Sequence, residues 1–287
     1  MTSPDSAPAP TPKAGRDLPA AIAVGLGLLA IVVVTLLWWH PGFILFLVVL
    51  TCMGAVELHH AMKRIGMNSA ILPIVVGTVA VIGGSYAAAV LEPISGIPWH
   101  EVLLGGLAVT VLLALIWRMP GGADGYVKDA AASLFTITYI PLLASFIGLL
   151  LASPHGAGKL VMLALCVVGS DVGGYAVGAT LGKHAMAPNI SPKKTWEGLA
   201  GSAVFAAIVG AVLGSLVLKL PWWFGVLMGL TCVVFGTAGD LIESLIKRDV
   251  GIKDMSSSLP GHGGVMDRLD SMLVAAPAGW LLFTVFT

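Results

Sequence analysis

The sequence predicts an all-α fold: a polytopic transmembrane helical bundle of about nine spans. Three observations carry that prediction. Of 287 residues only 10% are charged and 57% are hydrophobic, with a mean hydropathy of +0.96. Apolar runs of roughly 20 residues, the length a helix needs to cross a bilayer's hydrocarbon, recur along the whole chain. Counted as spans, those runs sort the basic residues onto one side of the membrane. Soluble domains carry about 25% charged residues. Composition therefore excludes a soluble enzyme, a disordered chain and a nucleic-acid binder, which needs a basic patch. The 15 basic and 15 acidic residues cancel to a net charge of zero, so position matters more than the sum.

Residues 1–18 are rich in Pro, Ala and Ser and read as a disordered cytoplasmic tail. The apolar run after them is longer than a signal-peptide h-region and leads straight into another, so it reads as a retained span. Spans are expected at about 19–39, 42–62, 70–91, 101–118, 129–152, 159–181, 198–218, 222–246 and 265–286. His40-Pro41 makes a tight connection between the first two. Residues 19–152 form an N-terminal set of transmembrane helices, and 153–287 form a C-terminal region that carries the candidate site. With a cytoplasmic N-terminus, the inside segments hold Lys13, Arg16, Lys63, Arg64, Arg118, Lys128, Lys183, Lys193, Lys194, Lys247, Arg248 and Lys253. The outside segments hold Lys159 and Lys219, and Arg268 opens the ninth span. This is a positive-inside pattern, and one span more or fewer would scramble it. Trp38, Trp39, Trp117, Trp222 and Trp223 fall near span ends, as an interfacial belt does. Cys52, Cys166 and Cys232 lie in apolar runs without metal-ligand spacing. They read as small buried hydrophobes, with no disulfide framework or zinc site. Gly174 and Gly178, and Gly210 and Gly214, are small-residue pairs at helix-packing spacing.

An ionisable residue at a helix centre costs about 2.5–3.5 kcal/mol on insertion scales, so each needs a partner, a cavity or a function. Glu57 lies near the inside end of its span, where snorkelling or pairing with Lys63 accounts for it. Asp171 lies mid-span on a Gly-rich helix, with Tyr175 one turn on. Asp240, Glu243, Ser244 and Lys247 share one helical face, and so do Asp267, Asp270 and Ser271. Between those faces runs a basic, Gly-rich segment with Arg248 and Lys253. It ends in His262-Gly263-Gly264 before a helix start, where backbone N–H groups can approach phosphate. A second basic piece carries Ser191, Lys193, Lys194, Thr195 and Glu197, with Thr195 placed to cap the next helix. Carboxylates beside lysines and arginines suit phosphate chemistry. Mg²⁺ takes hard oxygen ligands, and the basic groups neutralise the remaining phosphate charge.

At these residues the chain resembles a known family. Ser244-Leu-Ile-Lys247-Arg248, then Lys253-Asp254, then Leu259-Pro260-Gly-His262-Gly263-Gly264-Val-Met-Asp267-Arg268-Leu-Asp270 is similar to the signature of the phosphatidate cytidylyltransferases (CDP-diacylglycerol synthases). The stretch from Ser170-Asp171-Val-Gly-Gly-Tyr175 through Gly182-Lys183-His184 to Ser191-Pro-Lys193-Lys194-Thr195-Trp196-Glu197-Gly198 resembles that family's upstream block. It departs at Gly174, where the family commonly has Ala, and at Asn189, where a basic residue is common.

The resemblance implies an integral enzyme of a bacterial inner membrane, a homodimer, with a cytoplasm-facing polar cavity in the C-terminal half that holds the active site. It implies a reaction of CTP with phosphatidic acid drawn from the lipid bilayer, giving CDP-diacylglycerol and pyrophosphate. It also implies divalent-cation dependence, with Asp240 and Asp267 as the metal-binding pair. With Mg²⁺ placed there, Asp171, Glu243 and Asp270 are expected as outer or alternate ligands, with room for a second cation nearby. Lys193, Lys194, Lys247, Arg248, Lys253 and Arg268 would hold the phosphates. Asp171, Ser191, Thr195, Glu197, His262, Gly263 and Gly264 would complete substrate binding. Competing readings are a related CTP-dependent lipid or polyprenol enzyme and, from another class, an ion-coupled transporter. Against the transporter, the sequence has no visible inverted repeat, and its acids cluster at one cytoplasmic edge.

Overall fold

The structure, a computed structural model, describes residues 18–259 and 263–287. The predicted tail lies outside the described residues except for Leu18, and so does His262. Eleven α-helices account for most of the rest. They are α1 (Leu18–Trp38), α2 (His40–Lys63), α3 (Ile71–Thr78), α4 (Gly84–Ser95), α5 (Trp99–Arg118), α6 (Tyr126–Ile137), α7 (Leu143–Ala152), α8 (Gly156–Leu181), α9 (Trp196–Leu216), α10 (Trp222–Asp249) and α11 (Met266–Phe286). A π-helical turn, Val79–Gly83, joins α3 to α4, and another, Thr138–Leu142, joins α6 to α7. Each pair thus makes one span. Pro141 lies inside the second turn and offers no N–H, which locally breaks the α-helical ladder. Eight of the resulting segments are long and apolar enough to cross a membrane, and α1 is a further apolar helix. Each of the nine predicted spans coincides with one of these segments. The chain is an integral membrane protein, and its backbone polar groups are satisfied within helices as hydrocarbon demands.

One segment departs from the all-helical expectation. Residues 182–195 form a short hairpin in which β1 (Ala185–Ala187) pairs antiparallel with β2 (Ser191–Thr195). Irregular backbone is tolerated there because the hairpin caps the end of the bundle.

Small residues decide how α8, α9 and α10 pack. A Cβ on Gly210 of α9 would strike the backbone of Gly225 on α10, and one on Gly173 of α8 would strike the backbone of Gly201 on α9. Glycine at both crossings lets the helix backbones meet, the close approach on which lipid-embedded packing relies. Gly174 and Gly178 likewise face Ser202 and Gly198, so the predicted packing role of the small-residue pairs holds. Around this trio, buried Leu58, Ile74, Ile140, Leu163, Met228 and Met266 join α2, α3, the second π-turn, α8, α10 and α11 in one apolar core. The outward faces carry exposed Leu, Val and Ile, as a lipid-facing surface does.

The connections fall at two ends of the bundle. One end gathers the C-termini of α2, α8 and α10, the N-terminus of α11 and the hairpin, and with them most of the basic residues. A cavity at the other end is lined by residues of 150–159, 218–220 and 280–287, with Lys159 among them. Gly210→Leu is expected to force α9 and α10 apart and cost at least about 1–3 kcal/mol. Gly105→Ala, where a Cβ meets nothing, should be neutral or stabilising by up to about 1 kcal/mol. Thermal unfolding in detergent reads both.

Candidate active site

The site begins where α8, α9 and α10 converge under the hairpin. Thr195 caps α9, its Oγ1 accepting from the Gly198 N–H at 3.1 Å, as the sequence predicts. Glu197, in the first turn of α9, closes the hairpin's base. Its Oε2 accepts from the N–H groups of Lys183 (3.1 Å) and His184 (3.2 Å), and its Oε1 pairs with His184 Nδ1 at 2.5 Å. Arg248, at the end of α10, donates from Nε to the Ile190 carbonyl at 3.3 Å and holds the hairpin's turn. So fixed, the hairpin brings Lys193 and Lys194 to α10, and Lys194 forms an ion pair with Asp240. A cavity of about 290 Å³ opens between them, lined by Asp171, Tyr175, Lys193, Lys194, Thr195 and Asp240 among others. The lining does not include Ser191 or Glu197. These two act through the hairpin: Ser191 pairs with Ala187, and Glu197 is the clasp.

The second half of the site lies between α10 and α11. Gly239 permits it, since a Cβ there would strike the Asp270 carbonyl. With α11 this close, carboxylate oxygens of Asp240, Glu243 and Asp270 lie within 4.8 Å of one another. Glu243 is 1% exposed and Asp270 9%. Lys247 Nζ bridges the helices, donating to Glu243 Oε2 at 2.5 Å and to Asp267 Oδ1 at 2.8 Å. The other oxygen of Asp267 accepts from the N–H groups of Met255 (3.1 Å) and Gly264 (2.9 Å). Asp270 Oδ1 accepts from the Ser271 N–H at 2.7 Å.

Three clustered carboxylates repel one another, and burial raises that cost. Two buried polar atoms here have no hydrogen-bond partner among the described residues: Glu243 Oε1 and the Tyr139 hydroxyl. Tyr139 is 6% exposed, sits in the second π-turn, and feels the charges of Asp270, Glu243 and Asp240. An orphaned carboxylate oxygen in an all-oxygen cluster fits a hard divalent cation such as Mg²⁺.

Asp240 is shared by the cavity and the acid cluster, so the two halves meet at its carboxylate. The structure thereby brings together Asp171, Lys193, Lys194, Thr195, Asp240, Glu243, Lys247, Asp267 and Asp270. Lys253 is exposed on the loop before α11, and Arg268 is on the first turn of that helix. Gly263 adopts φ +85°, a left-handed conformation that favours glycine, and bridges back to Leu259. Gly264 threads between carboxylates: an added Cβ would come within 2.8 Å of Asp267 and 2.9 Å of Glu57.

Two residues were not legible as site residues. Tyr139 carries no motif. Glu57 is the correction: it does not pair with Lys63 but accepts from Ser256 and from the first backbone amides of α11. It needed a partner because it is buried, at 5% exposure. That partner lies some 200 residues away in sequence, beyond the reach of local spacing. For the bridge itself, Lys247→Met should cost about 3–5 kcal/mol by leaving Glu243 and Asp267 face to face. Lys247→Arg, which keeps the charge, should cost less. Unfolding in graded detergent mixtures checks the order.

A family model described as "Cytidylyltransferase family" matches residues 19–286. A phosphatidate cytidylyltransferase of Mycobacterium leprae is 38% identical over 293 residues, covering 96% of this chain and 90% of the relative. One of Mycobacterium bovis is 35% identical over 288 residues, covering 96% and 91%. One of Bacillus subtilis is 42% identical over 125 residues, covering 42% and 46%.

Proposed function

The chain belongs to the cytidylyltransferase family and is a membrane nucleotidyltransferase. From that premise we propose that it joins CTP to phosphatidic acid, giving CDP-diacylglycerol and pyrophosphate where the α8–α10 cavity meets the acids of α10 and α11. The observation that carries this placement is Asp240, which lines the cavity and belongs to the carboxylate cluster at once. An oxygen of the phosphatidic acid phosphate bonds to the α-phosphorus of CTP. The bond to the bridging oxygen breaks, and pyrophosphate leaves. The attacking phosphate is already an anion near neutral pH, so the step rests on positioning and charge neutralisation.

Lys193 and Lys194 face the cavity and are suited to hold phosphates there. Asp240, Glu243 and Asp270 would hold Mg²⁺, which when bound supplies compact positive charge to phosphate oxygens. Asp267, the acid that the family resemblance pairs with Asp240, sits across Lys247. The ammonium of Lys247 stands between Glu243 and Asp267 where a second cation would otherwise be needed. Arg248, Lys253 and Arg268 add positive charge at the same end, for the leaving pyrophosphate. The lipid arrives sideways. Beside Asp171 and Tyr175, α8 exposes Val168 and Val172 to the lipid-facing surface, so a diacyl tail can stay in the bilayer. On the same reading this end faces the cytoplasm of a bacterial inner membrane, as the basic residues gathered there favour. The enzyme is then a homodimer, a point that native mass of the solubilised particle tests.

Purified protein incubated with CTP, Mg²⁺ and phosphatidic acid is expected to yield CDP-diacylglycerol by lipid mass spectrometry. Its absence from a folded preparation overturns the reading. Glu243→Gln and Asp270→Asn should each lower turnover at least about 100-fold and weaken Mn²⁺ binding read by electron paramagnetic resonance. Near-normal turnover in both Asp240→Asn and Glu243→Gln would sink the metal assignment. For sidedness, Asn189→Cys on the hairpin turn should react with an impermeant maleimide only in opened cells. Labelling of intact cells would invert the orientation.

A further inference from the structure

The N-terminal half supplies one buried carboxylate to the loop before α11. α11 starts with a problem. Its N-cap is Val265, whose side chain has no acceptor, and the helix makes no side-chain cap bond of its own there. The first N–H groups of a helix need acceptors, and burial makes leaving them unpaired costly. Glu57, near the C-terminal end of α2, supplies them from another helix. Its Oε1 accepts from Val265 N–H at 3.0 Å and its Oε2 from Met266 N–H at 2.9 Å. Oε1 also accepts from the Ser256 hydroxyl at 2.5 Å. The negative charge lies at the positive end of the α11 dipole. Ser256 in turn accepts from the Ser258 N–H at 3.0 Å, so the anchor reaches back along the loop.

Asp267 is the residue after Met266, and the same loop feeds it. Its Oδ2 accepts from Met255 and Gly264, the neighbours of Ser256 and Val265. The backbone at Gly264 thus passes between the carboxylates of Glu57 and Asp267. Two anchors, one from α2 and one from α11 itself, fix one short stretch of chain, and its position sets where Asp267 and Asp270 stand relative to α10.

We propose that Glu57 is a positioning residue for the reaction, a cap supplied in trans by α2 that holds the first turn of α11 so that Asp267 and Asp270 face Glu243 and Lys247. It acts through the loop and touches no substrate. The inference rests on the proposed reaction, with a structural arm that does not.

Glu57→Gln keeps the shape but turns an amide NH₂ toward an N–H donor, which breaks one of the two backbone contacts. Turnover number should fall about 10–100-fold, the scale of a misplacement near 1 Å. KM for CTP should stay within about twofold, since the cavity under the hairpin is untouched. Hydrogen exchange of the peptide holding Val265 and Met266, read by mass spectrometry, should speed up at least about tenfold while peptides of α8 and α9 stay unchanged. Ser256→Ala, on the loop, should give a smaller change in the same direction. The double variant should lose no more turnover than Glu57→Gln alone, because both act on one anchor. Unchanged exchange at Val265 and Met266, unchanged turnover number, or additive losses would each overturn the proposal. If Glu57→Gln does not fold, Ser256→Ala decides alone: faster exchange with lower turnover supports the anchor, and no change in either overturns it. A wild-type protein that makes no CDP-diacylglycerol would refute the reaction, while the exchange arm would still report on the cap.

Discussion

The ammonium of Lys247, shared between Glu243 of α10 and Asp267 of α11, is the contact on which the polar end of this bundle depends. Acids from two helices converge in a region mostly closed to water, and their mutual repulsion works against the packing that brings them there. One fixed positive charge between them turns that repulsion into an interhelical tie. It does not satisfy everything. Among the described residues Glu243 Oε1 has no partner, and Asp240 and Asp270 crowd the same space. What remains is a built-in deficit of positive charge in a largely buried cluster.

That electrostatic arrangement is only possible because the helices approach unusually closely. Gly239 lets α11 lie against α10, Gly210 and Gly225 let α10 lie against α9, and Gly173 and Gly201 let α9 lie against α8. In lipid there is no hydrophobic gain from bringing apolar helices together, so backbone contact and hydrogen bonds such as Ser202 to the Ser170 carbonyl must supply the cohesion. The glycines thus do two things with one geometry. They hold the trio, and they set the spacing at which Asp171, Lys194 and Asp240 can border a single cavity.

How much of this the sequence shows depends on how local each cause is. Span positions follow from apolar length, and the Thr195 cap follows from its own three-residue geometry, so both are legible. The acid faces Asp240–Glu243–Lys247 and Asp267–Asp270 follow from the helical repeat. Their mutual placement does not, because it depends on Gly239 and the crossing it allows. The hairpin at 182–195 was hidden because its cause is the Glu197 clasp and the Arg248 contact, both between elements. Tyr139 was hidden for a similar reason: nothing near it in sequence marks a hydroxyl that a π-turn aims at acids more than a hundred residues away.

Glu57 shows most clearly why a bland local explanation fails in a membrane protein. A carboxylate near a span end with a lysine six residues on can snorkel, and in an isolated helix nothing more is needed. Inside a bundle that choice is closed, because at 5% exposure the group has no route to water. It must find donors in the protein. Those within reach are the amides that α11 cannot cap for itself, left bare because Val265 stands at its N-cap. Two unsatisfied sets, one an acceptor and one of donors, cancel each other across the molecule. The N-terminal helices are therefore more than a lipid-facing jacket around a C-terminal enzyme. The buried carboxylate of α2 ends at the first amides of α11, and the buried hydroxyl of the second π-turn feels the charges of the acids on α10 and α11, so both halves contribute to that end of the bundle.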